Sequence, residues 1–214
     1  APERMFPNPF WGCGFDDKIP TVMMSVSSQN SKYSQFSKSL KSRMSKTLNN
    51  MKYISVRDTW TLNMMKAIGV NHDVKVTPDP VFAFNYNAGH LVPSEDDIRK
   101  RFSLPKDYVL VSLHSQSLTL KTLDELNSMF KAVGKTCVAF PMPGGVRYQH
   151  HFDYEIKVPL SSIDWYALIK YASGYVGSNM HPIIVSLHNA VPCFSIDHWG
   201  TKDFFNRTVR DGSS

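Results

Sequence analysis

An α/β fold of two βαβ halves is what this 214-residue sequence predicts, and three observations predict it. Short apolar runs ending in small polar residues alternate with longer segments whose apolar residues recur every three or four positions. The alternation breaks once, in a polar stretch after Phe84, and then resumes. Strands and helices that alternate in this way form parallel sheets with right-handed crossovers. The expectation is a partial N-terminal Rossmann-like domain over residues 1–90 and a C-terminal Rossmann-like domain over residues 91–214.

The elements follow in order. TVMMSVSS (Thr21 to Ser28) is a short apolar run and reads as a buried strand. From Ser31 to Met51, the residues Tyr33, Phe36, Leu40, Met44 and Leu48 share one face of a helix. YISVRD (Tyr53 to Asp58) is the next strand, with its charged pair at the carboxyl end. TWTLNMMKAIGV puts Leu62, Met65 and Ile68 on one stripe and stops at Gly69. DVKVTPDP alternates up to Pro78 and Pro80 and reads as a strand ending in a stiff turn.

NYNAGHLVPSEDDIRKRFSLPKD reads as a linker holding one short helix, capped by Ser94 with Asp96 and Asp97 in its first turn. The second half repeats the rhythm. Strands fall at Tyr108 to Ser115, Thr136 to Met142, GYVGS and VPCFSID. Helices fall at LKTLDELNSMFKAVG, Ser162 to Ser173 and HPIIVSLHNA, and PGGVRYQHHFDYE is a loop.

Composition narrows the class. With 42% hydrophobic and 12% aromatic residues the chain can bury a core, as a soluble globular protein does. The net charge of +6 suits anionic small substrates, nucleic acid or a membrane surface. The richest basic stretch, KSLKSRMSK from Lys38 to Lys46, reads as a solvated helix face. Aromatic residues sit in apolar stripes and are not interleaved with basic ones, so nucleic acid is not an expected partner. Cys13, Cys137 and Cys193 lie far apart, which argues against a disulfide framework or a structural zinc site. No apolar run reaches about eighteen residues and no charged-then-apolar leader opens the sequence. The cytoplasm is the default compartment, and the single sequon at Asn206 is too common a pattern to change that. The sequence opens at Ala1 and stops at DGSS, and it reads as a fragment of a longer protein.

In parallel α/β sheets ligands bind at the carboxyl ends of strands, and the cleft between two such domains is the usual place. Those ends supply Ser27 and Ser28, Arg57 and Asp58, Asp79, His114 and Ser115, Ser178 and Asn179, and Asp197 and His198. GSNMHPIIVSLH, Gly177 to His188, is the best placed. Ser178 or Asn179 can cap the helix, Pro182 fits its first turn, and the free N–H groups there make an anion site with His181 on its rim. His181 can equally serve only to cap or solvate the turn, and His188, two turns on, reads as a core histidine held by a hydrogen bond.

Arg57 can grip a phosphate or carboxylate bidentately, or pair within the chain while Asp58 caps the next helix. Asp79, between two prolines, is a rigidly held carboxylate that turn chemistry alone can explain. Gly144 and Gly145 lack the surrounding residues of a phosphate loop. His150, His151 and Asp153 make a poor metal site.

The order of the motifs ISVRDTWTLNMMKAIGV, VTPDPVFAF and ALIKYASGYVGSNMHPIIVSLHNAVPCFSID, with Lys202 behind them, resembles the polysaccharide pyruvyl transferase family. The resemblance runs from about Thr21 to Phe205 and implies a two-domain, GT-B-like fold. It implies transfer of the pyruvyl group of phosphoenolpyruvate onto a sugar of an envelope or exported polysaccharide, as a ketal. The implied acceptor is a sugar or lipid-linked oligosaccharide, with peripheral association to membrane assembly machinery, and the scheme needs neither cofactor nor metal. Residue by residue, it assigns donor contact to Arg57, proton transfer to His181 and anion binding to Lys202. Ser178, Asn179, Asp58 and His198 are the further substrate-binding candidates. Asn179 departs from the family, which has arginine in an Arg-x-His motif there. Two other readings stay open: a nucleotide-sugar-dependent glycosyltransferase of the same fold, and a non-catalytic sugar-binding member of a polysaccharide assembly.

Overall fold

Five helices begin where an oxygen-bearing side chain accepts the N–H of the third helical residue, the bond that satisfies an orphan donor of the first turn. The caps are Ser37 for α1 (Lys38–Asn49), Asp58 for α2 (Thr59–Ala67), Ser94 for α4 (Glu95–Phe102), Thr119 for α5 (Leu120–Ala132) and Ser161 for α6 (Ser162–Lys170). The stop at Gly69 is as expected: it has φ +85° and lets Val70 N–H return to the Met65 carbonyl at 3.0 Å. The structure is a computed structural model and describes residues 6–7, 9–15, 18–28, 31–114 and 118–196.

Three expectations are corrected. The first helix starts at Lys38 and not at Ser31, because Phe36 is extended, Ser37 caps, and the Tyr33 ring packs edge-on against Trp60, 5.3 Å away. Residues 33–35 form a 3-10 turn instead. The polar stretch after Phe84 is not all linker: α3 (Phe84–Ala88) forms there, flanked by the 3-10 turns Pro80–Ala83 and Gly89–Leu91. The loop after Met142 contains a short strand, β6 (Tyr154–Glu155), which pairs with β5 (Thr136–Ala139).

Two compact units are present among the described residues, one through Pro80 and one from Val81. In the first, β1 (Val22–Val26), β2 (Tyr53–Val56) and β3 (Lys75–Val76) make a parallel sheet in that order. Advancing strand by strand with right-handed crossovers sends α1 and α2 to the same face. There Met44, Leu48, Met64 and Met65 bury against Met23, Ile54 and Val56. Val22, Met24 and Tyr53, which point the other way, stay 58%, 63% and 41% exposed.

In the second unit all strands are again parallel, but the order is β6-β5-β4-β7-β8, with β4 (Tyr108–Ser112), β7 (Gly174–Gly177) and β8 (Cys193–Ser195). The chain builds outward from β4 in one direction and then returns to lay β7 on its other side. Helices therefore cover both faces, and strand residues alternate between two cores. Tyr108, Leu110, Val138 and Phe140 pack with α6 and with Val185 of α7 (Met180–His188). Val111, Cys137 and Ala139 pack with Leu123 of α5. Cys137 is a core residue, and burial, little offset by Lys131, pushes its thiol up to about 11. No helix among the described residues is long and apolar enough to cross a membrane.

At the β4–β7 seam Gly177 lies opposite Ser112, so close that a Cβ on Gly177 would sit 2.3 Å from the Ser112 carbonyl and 2.3 Å from the Tyr175 hydroxyl. Gly177→Ala is expected to lower the unfolding free energy by about 3 kcal/mol, the upper end of ordinary overpacking. Urea denaturation checks this through the midpoint at unchanged slope.

Candidate active site

Reversal of strand order opens a crevice at the carboxyl ends of the two strands flanking it, the usual ligand position in open parallel sheets. Here those strands are β4 and β7. The Ser178 hydroxyl, just past β7, accepts the N–H of His114, just past β4, at 3.0 Å. The Ser178 N–H in turn donates to the Ser112 carbonyl at 3.1 Å. Ser178 thus ties the two strand ends together, and His114 and His181 are both exposed beside the tie.

Asn179 holds the N-cap position of α7, yet its side chain makes no capping bond, contrary to expectation. In the five capped helices the bond goes to the third helical residue. In α7 that residue is Pro182, which has no N–H to give. The Asn179 amide turns inward instead and donates to the Ser112 hydroxyl at 3.1 Å, leaving Asn179 only 9% exposed. The N–H groups of Met180 and His181 remain without intrahelical partners, at the positive end of the helix dipole.

Under this turn lies Tyr175, 1% exposed, with its hydroxyl against Ser112, Gly177 and Asn179 but in no hydrogen bond of normal geometry among the described residues. Burial holds its phenol well above the ordinary range, with Ser112 and Asn179 opposing. Ser112 and Tyr175 escaped the sequence reading because nothing about a serine or tyrosine inside an apolar run distinguishes it. The NMHP tetrad did carry a signal, a proline at the third helical position.

His188 is a second correction: its Nε2 is buried without a hydrogen-bond partner among the described residues, and the ring packs edge-on to Phe82 at 5.8 Å. His150 faces Glu155 at 3.4 Å and His151 faces Asp124 at 3.1 Å, so the adjacent histidines engage separate carboxylates.

The first unit's strand ends carry the charged candidates. Arg57 follows β2 and donates its backbone N–H to Val26 at 2.9 Å. Its guanidinium Nη1 donates to Asp79 Oδ2 at 2.9 Å, with the two side chains only 20% and 11% exposed. The internal partner of Arg57 is therefore Asp79, while Asp58 caps α2 through the Thr61 N–H at 2.6 Å. Burial raises the pKa of Asp58, but the Thr61 N–H and hydroxyl, the Ser27 hydroxyl and the Arg57 charge together hold it below its ordinary value. Ser28, at the end of β1, is buried and receives the Thr61 hydroxyl at 3.1 Å.

β1 reaches this edge through a bulge. Ser25 takes φ +49°, a region unfavourable for a residue with a Cβ. It is pinned there by the Ser55 hydroxyl, which accepts its N–H at 2.9 Å, and by Thr77, whose hydroxyl meets its own at 2.9 Å.

A cleft of about 1030 Å³ lies elsewhere, at the amino ends of β1 and β2, and is lined by Thr21, Arg43, Lys46 and Lys52 among others. Free backbone groups and fixed carboxyl-end side chains favour the opposite edge for chemistry, so its size does not make it the active site. The candidates Ser115, Asp197, His198 and Lys202 lie outside the described residues.

A family model described as polysaccharide pyruvyl transferase matches residues 10–200. Comparison with curated proteins finds no match.

Loss of the cap in Asp58→Ala is expected to destabilise the protein by about 1 kcal/mol near neutrality. The folded pKa of Asp58 is below its ordinary value of 3.8, so the contribution is complete above about pH 4 and is lost as pH falls through the lower native value. Unfolding free energies of wild type and variant, measured from pH 6 downward, should converge only in that acid range.

Proposed function

The chain belongs to the polysaccharide pyruvyl transferase family, a family of transferase enzymes, and on that premise we propose that it moves the pyruvyl group of phosphoenolpyruvate onto a sugar as a ketal. The acceptor we assign is a sugar or lipid-linked oligosaccharide of an envelope or exported polysaccharide. The two-domain, GT-B-like organisation, a cytoplasmic site of action and peripheral association with membrane assembly machinery belong to the same proposal.

Ketal formation requires a proton on the methylene carbon of phosphoenolpyruvate and tolerance of cationic charge at the neighbouring carbon. Two sugar hydroxyls then add to that carbon as phosphate leaves. His181 is assigned the proton delivery, which histidine can perform near neutral pH. The observation that carries this assignment is its exposed position in the first turn of α7, next to the carboxyl end of β7 where strand order reverses.

The N–H groups of that turn, without intrahelical partners, suit a phosphate or carboxylate oxygen. Ser178 and Asn179 shape that turn: the Ser178 hydroxyl accepts the His114 N–H and the Asn179 amide donates to the Ser112 hydroxyl, which holds the turn open. The family's arginine being absent at position 179, donor charge at that turn falls to the helix start, while Arg57 keeps its donor assignment on the resemblance, with Asp58 fixing the start of α2 beside it. Lys202 keeps its substrate-binding assignment on the resemblance alone, and His198 keeps its own from its place after the last strand of the sequence reading.

His181→Ala is expected to lower phosphate release from phosphoenolpyruvate by about 10²- to 10⁴-fold, the usual range for a positioned general acid. The assay uses purified protein with a panel of glycan acceptors. No release from the wild type with any acceptor, together with turnover of a uridine diphosphate sugar, would defeat the proposal.

A further inference from the structure

We infer that Asp79 is a positioning residue for Arg57, fixing which edge of its guanidinium is offered to the donor anion; this rests on the assignment of Arg57 as a donor ligand. Arg57 leaves the end of β2 beside two carboxylates, Asp58 and Asp79. Asp58 engages the start of α2, its Oδ1 accepting the Thr61 N–H at 2.6 Å, and the carboxylate that hydrogen-bonds the guanidinium is Asp79. Asp79 is in contrast held for the purpose. It follows the β3 strand that pairs with β2, where Thr77 N–H donates to the Val56 carbonyl at 2.8 Å. Prolines at 78 and 80 stiffen the chain on both sides of it: Pro78 has a fixed φ, and Pro80 restricts Asp79 to extended conformations.

The contact uses Nη1 alone. Nε and Nη2 engage no acceptor among the described residues, and they form the second edge of a planar fork that matches a carboxylate or phosphate bidentately. A long arginine side chain loses rotamer freedom when fixed. The half-buried pair spends that cost before the ligand arrives, so the free edge is presented in one orientation. Pairing also keeps a largely buried cation from being left uncompensated when no donor is bound. Without Asp79, the nearest carboxylate to draw Arg57 aside is Asp58, whose pKa already registers the Arg57 charge.

Two measurements test this. The Nε–Hε resonance of Arg57, identified by its disappearance in Arg57→Lys, should be sharp and dispersed in the wild type. In Asp79→Asn it should collapse into the exchange-averaged signals of mobile arginines, in a spectrum otherwise that of the folded protein. Asp79→Asn should raise KM for phosphoenolpyruvate roughly tenfold with kcat within about threefold, the pattern of lost binding without lost chemistry. Asp79→Glu should restore much of that loss. Adding Asp79→Asn to Arg57→Lys should change KM no further, since a residue acting through Arg57 has nothing left to act on. An unchanged resonance, an unchanged KM, or additive effects in the double variant would overturn the inference. If the wild type does not use phosphoenolpyruvate at all, the proposed function fails, while the arginine resonance still decides whether Asp79 fixes Arg57.

Discussion

The pairing of β4 with β7 is the constraint on which the second unit depends. Right-handed crossovers allow a parallel sheet to grow in one direction with its helices on one face, as the first unit does with β1, β2 and β3. Growing from β4 in both directions puts helices on both faces and leaves two neighbouring strand ends with no loop passing between them. The Ser178 hydroxyl closes the seam, Gly177 lets it close, and α7 starts from it. The exposure of His181 and the free N–H groups beside it are consequences of that arrangement.

A second constraint acts within it. Pro182 denies Asn179 its ordinary capping partner, so a side chain that would have covered the helix start is drawn into the core. A fully capped α7 would present fewer donors to an anion. The buried cluster of Ser112, Tyr175 and Asn179 thus trades an unsatisfied phenol inside for uncovered backbone groups at the surface. Polar groups left unsatisfied in this way concentrate where structure serves function more than stability.

Much of this was legible in the sequence. Strands and helices of the repeating kind announced themselves by period, and their stops by Gly69 and Gly134. The placement of Arg57, Asp58, Ser178 and His181 at strand ends followed from periodicity and the strand-end rule alone. What failed had local causes. Tyr33 and Phe36 continue the apolar stripe of α1, but Ser37 overrides them as a cap and Tyr33 finds Trp60. α3 and β6 span five and two residues, too short for a period to register. Strand order is written nowhere in the local pattern, so neither the pairing of Arg57 with Asp79 across neighbouring strands nor the Ser112–Asn179 contact could be read. His188 was expected to have a partner and has an aromatic neighbour instead.

The register of the β4–β7 seam joins Val109 to Gly174, residues 65 positions apart (174 − 109) in the chain. β4 meets β5 much sooner, Tyr108 with Thr136, so the outer half of that sheet can assemble while the seam is still open. Closure of the long loop awaits β7, and loop-closure entropy makes such a contact late. The crevice holding His181 is then among the last features to appear as the chain folds. A molecule in which β7 has not yet docked would carry the β5–β4 half of this sheet without the crevice beside His181, which ties that crevice to completion of the fold.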